Sequence, residues 1–264
     1  MAHFYLDETL ASQLHLSALE SGETLESGDT RGGVGEVVHL RGADARHAST
    51  VARVRVGEQL RLGDGEGLVV LGVVDAIAPG DLTLAVDQVE RYERPSPRIH
   101  LVQALAKGDR DELALQAATE LGVDGVTPWQ AARSISRWDS AKAAKGRERW
   151  RTIAREATKQ SMRAWMPIIE PLSTTAQLVA RAAESTVLVL DPTSEHALSA
   201  LTPHELGHGD VLIVVGPEGG IAPDERDALA AAGARCVRLG STVLRTSTAG
   251  PAAIAVLSAA LGRW

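Results

Sequence analysis

The 264-residue sequence contains a single cysteine, Cys236, so no intrachain disulfide can form. That residue sits in the apolar run ARCVRL with no triad signature around it, which reads as a buried structural thiol and not a nucleophile. No apolar stretch reaches the roughly 18 residues a membrane-spanning helix needs. The opening MAHFYLDETLASQLHL lacks a charged segment followed by an uninterrupted apolar core, so export is not expected and a cytoplasmic location is. The chain also lacks GxGxxG and the GxxxxGK-Ser/Thr loop, which removes the usual dinucleotide and nucleoside-triphosphate fingerprints. Its length suffices for one large or two modest domains with real cores.

What is present is a pair of glycine-bearing turns. Residues 211–220 read VLIVVGPEGG and IAPDERDALAAAG follows, which describes a buried strand, a glycine turn and a helix start. Gly216, Gly219 and Gly220 let a ligand approach the main chain closely, Pro217 stiffens the turn, and a side chain at Gly219 is expected to block that approach. A second strand, loop and helix start occupies VRLGSTVLRTSTAG, residues 237–250. Either loop alone is an ordinary strand-to-helix connection; together at the strand ends of one sheet they can wrap a small cofactor.

Two domains and a spacer are expected. Short β runs (HFYL, EVVHL, EQLRLGDGEGLVVLGVV, LTLAV) with turns at Asp64-Gly65 and Pro79-Gly80 fill residues 1–89 and suit a small barrel. Within it, ESGETLESGDTRGGVGE (20–36) reads as a mobile loop, and Arg46 and His47 open a helical ASTVARVRV region. ERYERPSPR (90–98) is an extended linker because Pro95 and Pro97 discourage regular structure. From residue 99 to 264 strands and helices alternate, which implies an α/β unit with a parallel sheet covered on both faces. Leu113, Ala114, Ala117, Ala118 and Leu121 are expected on one helical face. The last helix is expected to pack Ala249, Ala252, Ala253, Val256, Leu257, Ala260 and Leu261 against the body.

The net charge of −7 argues against a polyanionic partner until its distribution is considered. Residues 133–163 carry ten Lys or Arg against three acids, a local +7 that leaves −14 for the remainder. Local field steers a polyanion, so this segment is the expected RNA contact, with Arg133, Arg147, Arg151, Arg155 and Lys159 its candidates. Arg147, Arg151, Arg155, Lys159 and Arg163 step by four along one expected exposed face, whereas Trp150, Ile153, Ala154 and Ala157 recur as a core face. A basic helix face is often merely solvated; seven surplus charges in 31 residues tilt the reading towards RNA. Trp129, Trp138, Trp150 and Trp165 lie in or beside it, where any exposed ring could stack on a base.

Five segments together, RHASTVARVRVGEQLRLGDGEG (46–67), ALAKGDRDELALQAATELGVDGVTPW (104–129), EATKQSMRAWMP (156–167), LIVVGPEGG and LGSTVLRTSTAG, resemble the SPOUT class of methyltransferases. The resemblance is closest to the RsmE family, which methylates N3 of a uridine in small-subunit ribosomal RNA. It implies a trefoil-knot methyltransferase domain behind a PUA-like RNA-binding barrel, S-adenosyl-L-methionine as cofactor, 16S rRNA as partner and a homodimer, with no metal. It further implies a cofactor cradle of Gly216, Pro217, Glu218, Gly219, Gly220, Leu239, Gly240, Ser241, Val243, Leu244 and Thr248. Gln160 and Arg163 are then expected to hold the target nucleotide, and Arg46, Arg53 and Arg55 to meet phosphates. The family usually carries Glu where Ser247 stands, so that carboxylate's role cannot be carried over.

Methyl transfer to uridine N3 requires a proton to leave while charge spreads onto O2 and O4, so a donor beside those oxygens helps. Arg245 is the candidate for that task, against the alternative that it braces its loop. Glu218 could accept the proton or fix the first loop through N–H groups. Two further readings are a nonenzymatic RNA-binding protein, which leaves the glycine loops without purpose, and an NAD or ATP enzyme, which lacks its fingerprint. Action on another RNA nucleotide is a third.

Overall fold

The computed structural model describes residues 3–14, 33–206 and 209–264. The expected loop over 20–36 lies, through residue 32, outside the described residues. The chain forms two compact units, Met1–Arg94 with Thr158–Met166, and Pro95–Ala157 with Pro167–Trp264.

In the first unit the chain runs β1 (His3–Leu6), α1 (Leu10–Gln13), β2 (Val37–Arg41), α2 (Gly42–Arg46), β3 (Gln59–Gly63), β4 (Leu68–Ala78) and β5 (Asp81–Arg91). Alternation drives the strands: Val38 and Leu40, Leu60 and Leu62, and Leu82 and Leu84 are fully buried while their neighbours face outward. The sheet order is β1-β3-β4-β5-β2, with only β1 and β3 parallel. At the bulge by Gly72 the two backbones approach so closely that a Cβ would sit 2.6 Å from the Ala85 carbonyl oxygen. The outer strand β2 is partly satisfied by Gln13, whose amide accepts from the His39 N–H (2.7 Å) and donates to the His39 carbonyl (3.1 Å). β5 extends to Arg91, two residues into the expected linker.

The ASTVARVRV region is helical only in its first part. After α2 a single π turn covers His47–Val51, then Arg53 takes φ 55° and Val54 turns inward with its N–H on the Ala48 carbonyl. Burial of Val54 in the sheet's core outweighs continued helix, so Arg53 and Arg55 stand on an irregular exposed segment.

The second unit runs β6 (Ile99–Ala104), α3 (Arg110–Glu120), β7 (Gly125–Trp129), α4 (Ser140–Gln160), β8 (Ile168–Ile169), α5 (Thr175–Arg181), β9 (Thr186–Leu190), β10 (Val211–Val215), α6 (Pro223–Ala231), β11 (Arg235–Val237) and α7 (Thr246–Ala260). Its six strands are all parallel, ordered β11-β9-β10-β6-β7-β8. The continuous apolar run of β10 is explained by its two faces. Val211, Ile213 and Val215 enter one core with Leu101, Trp150, Ile254 and Leu257, while Leu212 and Val214 enter another with Val102, Trp129, Leu178 and Leu229. Helix α7 lies so close to the sheet that a Cβ on Gly250 would meet Leu101 Cδ1 at 2.8 Å.

Several faces differ from expectation. In α3 the buried positions are Asp111, Ala114, Leu115, Ala118 and Thr119, and Leu113 is 57% exposed. The two polar members tolerate burial because Asp111 accepts from the Ala106 and Glu112 N–H groups and the Thr119 hydroxyl donates to the Leu115 carbonyl (2.8 Å). In α7 the buried stripe is Thr246, Gly250, Ala253, Ile254 and Leu257, turned from the expected one so that Ala249, Ala252 and Val256 are half-buried. Cys236 is half-buried, and burial pushes its thiol pKa up.

Candidate active site

Three neighbouring strands, β11, β9 and β10, end on the same side of the parallel sheet, and a cavity of ≈ 520 Å³ opens over those ends. Open α/β sheets bind ligands at such strand ends, and this volume is that of a cofactor site.

The first wall is the loop after β10. Gly216, Pro217, Glu218, Gly220 and Ile221 line the cavity. The Gly220 N–H closes a turn onto the Pro217 carbonyl at 2.9 Å, with Gly220 at φ 70°. At Gly216 a Cβ would meet Ile221 Cγ1 at 2.7 Å, so the chain can fold back only with glycine there. Glu218 accepts from the Lys107 N–H (3.2 Å) and the Arg110 guanidinium (3.3 Å), which anchors the loop to the start of α3. Pro223 starts α6, and the buried Glu225 carboxylate accepts from the N–H groups of Ala222 (3.3 Å) and Ala132 (2.9 Å) and from the Thr175 hydroxyl (2.7 Å).

The second wall follows β11. Arg238 donates to the Ser194 and Glu195 carbonyls at 2.7 and 2.6 Å, and Leu239, Gly240, Thr242, Val243, Leu244, Arg245 and Thr246 line the cavity. Arg245 is the N-cap of α7, its carbonyl accepting from the N–H groups of Thr248 and Ala249. Its side chain is exposed, and among the described residues no hydrogen bond or ion pair holds the guanidinium. The Thr246 hydroxyl donates to the Gly216 carbonyl at 2.8 Å, joining the two walls.

Asp191, just past the end of β9, is the cavity's other carboxylate. Burial alone would raise its pKa, but the Thr193 hydroxyl (2.6 Å) and N–H (2.8 Å) and the Arg226 guanidinium (3.5 Å) bring it below the ordinary value, so it is ionised at neutral pH. Asp191, Thr193 and Arg226 carry no motif in the sequence, and Arg110 and Thr246 lie in motif segments without a signal of their own; what marks all five is position just beyond a strand or near a helix start.

Of the expected cradle, Gly216, Pro217, Glu218, Gly220, Leu239, Gly240, Val243 and Leu244 line the cavity; Gly219, Ser241 and Thr248 do not. A Cβ on Gly219 would instead meet Arg133 Cβ at 3.3 Å, and the Arg133 guanidinium donates to the Gly219 carbonyl at 3.1 Å. A side chain at Gly219 therefore meets Arg133 and not a ligand.

The expected arginine row is not one exposed face. Arg151 is exposed, but Arg147 donates to the Ile169 carbonyl at 2.8 Å and Arg155 lies 3.5 Å from Glu156. The Lys159 ammonium, 15% exposed, bonds Asp44 at 2.8 Å within the first unit. Helix α4 ends at Gln160 and Met162 takes φ 54°, so Arg163 falls off the helical row. Gln160, Arg46, Arg53 and Arg133 are exposed. Of the tryptophans, Trp129 and Trp150 are fully buried. Trp138 packs edge-on against Trp150 at 5.5 Å, and Trp165 carries Arg94 over its ring at 4.2 Å. These rings are structural, which removes stacking on bases from Trp129 and Trp150.

Residues 93–258 match the family of RNA methyltransferase domains and residues 40–87 that of RNA methyltransferase PUA domains. An α/β methyltransferase domain with a parallel sheet behind an N-terminal PUA domain thus defines the class of protein as an RNA methyltransferase. The ribosomal RNA small subunit methyltransferase E of Mycobacterium bovis is 43% identical over 243 residues, covering 89% of this chain and 91% of the relative. Its Bacillus subtilis counterpart is 30% identical over 83% of this chain and 88% of its own. The crystal structure of the Neisseria gonorrhoeae enzyme of that name, bound to S-adenosyl methionine, has a TM-score of 0.75 at 28% identity and covers 98% of both chains. The chain belongs to the ribosomal RNA small subunit methyltransferase E family.

Proposed function

We propose that the protein transfers a methyl group from S-adenosyl-L-methionine to N3 of a uridine in 16S ribosomal RNA. The observation that carries this reading is the cavity built by two glycine loops with an unengaged arginine, Arg245, in its wall. The site fits the cofactor: the volume suits it, and a Cβ on Gly240 would meet no atom within 4 Å, which leaves open space against the main chain. Main chain of Gly216, Pro217, Glu218, Gly220, Leu239, Gly240 and Leu244 forms the cradle. When bound, the cofactor supplies a methyl group already activated on a sulfonium, so no metal is needed. Arg245 stabilises charge on the uracil oxygens as N3 loses its proton to water. Glu218 braces the first loop through Lys107 and Arg110, a role its two hydrogen bonds support. Calorimetry of the purified protein with S-adenosylmethionine, NAD and ATP is the direct test of ligand class; heat with NAD or ATP alone would sink the reading.

Residues 1–89 serve as the RNA-binding domain, 90–98 as linker and 99–264 as the methyltransferase domain, in which the trefoil knot belongs. RNA contacts come from Arg46, Arg53 and Arg55 in the first and from the exposed side of α4 in the second. The best cations for a charge test are Lys142, Lys145 and Arg151, which are exposed, and not Arg147 or Lys159, which hold structure. Changing those three to glutamate should weaken RNA binding and leave cofactor affinity intact. The slope of log affinity against log salt should become shallower by about 0.7–0.9 for every phosphate that is no longer neutralised. An unchanged slope would remove this face from the RNA surface.

The active form is a cytoplasmic homodimer paired through the methyltransferase domain, as the SPOUT resemblance implies. Ile135 and Val243, 67% and 79% exposed in that domain, are apolar side chains a partner could cover. Sedimentation should show a dimer at assay concentration; a fully active monomer would rule the pairing out.

A further inference from the structure

We propose that Gln103 is a positioning residue that sets the spacing of the two cofactor loops through the hydroxyl of Thr246. Gln103 is fully buried near the end of β6 and does not line the cavity. Its Nε2 donates to Thr246 Oγ1 at 2.8 Å and to the Ala104 carbonyl at 3.1 Å, and Thr246 Oγ1 donates in turn to the Gly216 carbonyl at 2.8 Å. A hydroxyl has one proton, so accepting from Gln103 fixes that proton on Gly216. The relay ties three elements at one point: β6, the turn after β10, and the first residue of α7, directly after Arg245.

A second observation separates this role from ordinary core polarity. Gln103 Oε1 is buried with no hydrogen-bond partner among the described residues. An orphan carbonyl is a net cost to folding, so an apolar side chain of similar length would serve stability at least as well. What that side chain could not do is orient Thr246. Two loops that close on a ligand from strands on either side of β9 lose affinity when either slips, because a cradle held in place is part of the binding energy.

The inference rests on reading the cavity as the S-adenosylmethionine site, and its test has a ligand-free arm. Calorimetry with S-adenosylmethionine should give a Kd about tenfold weaker for Gln103→Met and for Thr246→Val, the scale of removing one hydrogen bond from a buried network. Thr246→Ser, which keeps the hydroxyl, should stay within about twofold, and the double variant should be no worse than the weaker single one, as expected for residues acting as a unit. Thermal unfolding of Gln103→Met should match the wild type. In ligand-free protein, amide hydrogen exchange over residues 216–222 should speed up in Thr246→Val and stay unchanged in β7. Wild-type affinity in both single variants, or additive losses in the double, would overturn the relay. If the wild type itself binds no S-adenosylmethionine, the proposed function falls, and the exchange arm still decides: equal exchange over 216–222 in wild type and Thr246→Val would overturn the relay. If Gln103→Met does not fold, the comparison of Thr246→Val with Thr246→Ser decides alone.

Discussion

Replacing Arg245 by alanine should slow methyl transfer by about a hundredfold or more, the cost of removing one donor aimed at a developing oxyanion. The expectation follows from where the residue stands. Its backbone caps α7 through the N–H groups of Thr248 and Ala249, so position is set by main chain that alanine retains. Arg245 lines the cavity and no partner among the described residues competes for its guanidinium, unlike those of Arg110, Arg226 and Arg238, which are engaged by Glu218, Asp191 and backbone carbonyls. Cofactor affinity should drop far less than the rate. Arg245→Lys should rescue only in part, because it keeps the charge and loses the planar fork. Single-turnover methylation at saturating cofactor and RNA checks this. A near-normal alanine variant would make Arg245 a loop brace, and a loss that vanishes at high cofactor concentration would place it in the cradle.

The second large effect is expected at Gly240. A valine there should abolish measurable S-adenosylmethionine binding while leaving the melting temperature of the free protein within a few degrees, because an added Cβ meets nothing within 4 Å. The other glycines discriminate the cause. Gly220 also lines the cavity but takes φ 70°, so valine at that position strains the backbone and lowers stability together with binding. Gly219 lies outside the cavity against Arg133, and valine there should bind the cofactor almost normally. Calorimetry on the three variants reads this order. Normal binding by Gly240→Val would move the ligand away from the second loop.

The strands and loops that build the site are legible in the sequence because their causes are local. The run VLIVV is apolar throughout since both faces of β10 are covered, and the glycines after it mark a turn that a Cβ at Gly216 would block. Where partners are distant in sequence, pattern fails. Periodicity puts Leu113 inside, yet Asp111 and Thr119 take the buried side because backbone groups satisfy them. Lys159 reads as an exposed cation, and only folding brings it to Asp44, 115 positions away. Gln103 and Thr246 are 143 positions apart, and although Thr246 lies in the second glycine-bearing segment nothing there marks its hydroxyl as a brace, so the link between the loops has no sequence signal. Charge alone makes Arg133 an RNA contact, and its bond to the Gly219 carbonyl shows a basic side chain stabilising a loop.

Methylation of a defined substrate tests the central claim most directly. Small-subunit ribosomal RNA or subunits from cells lacking this gene should be incubated with the protein and S-adenosylmethionine, digested, and their nucleosides resolved by mass spectrometry. The account predicts 3-methyluridine in stoichiometric yield with wild-type protein and little with Arg245→Ala. Methyl groups on another nucleoside, or none on any nucleoside while the protein binds the cofactor, would contradict it.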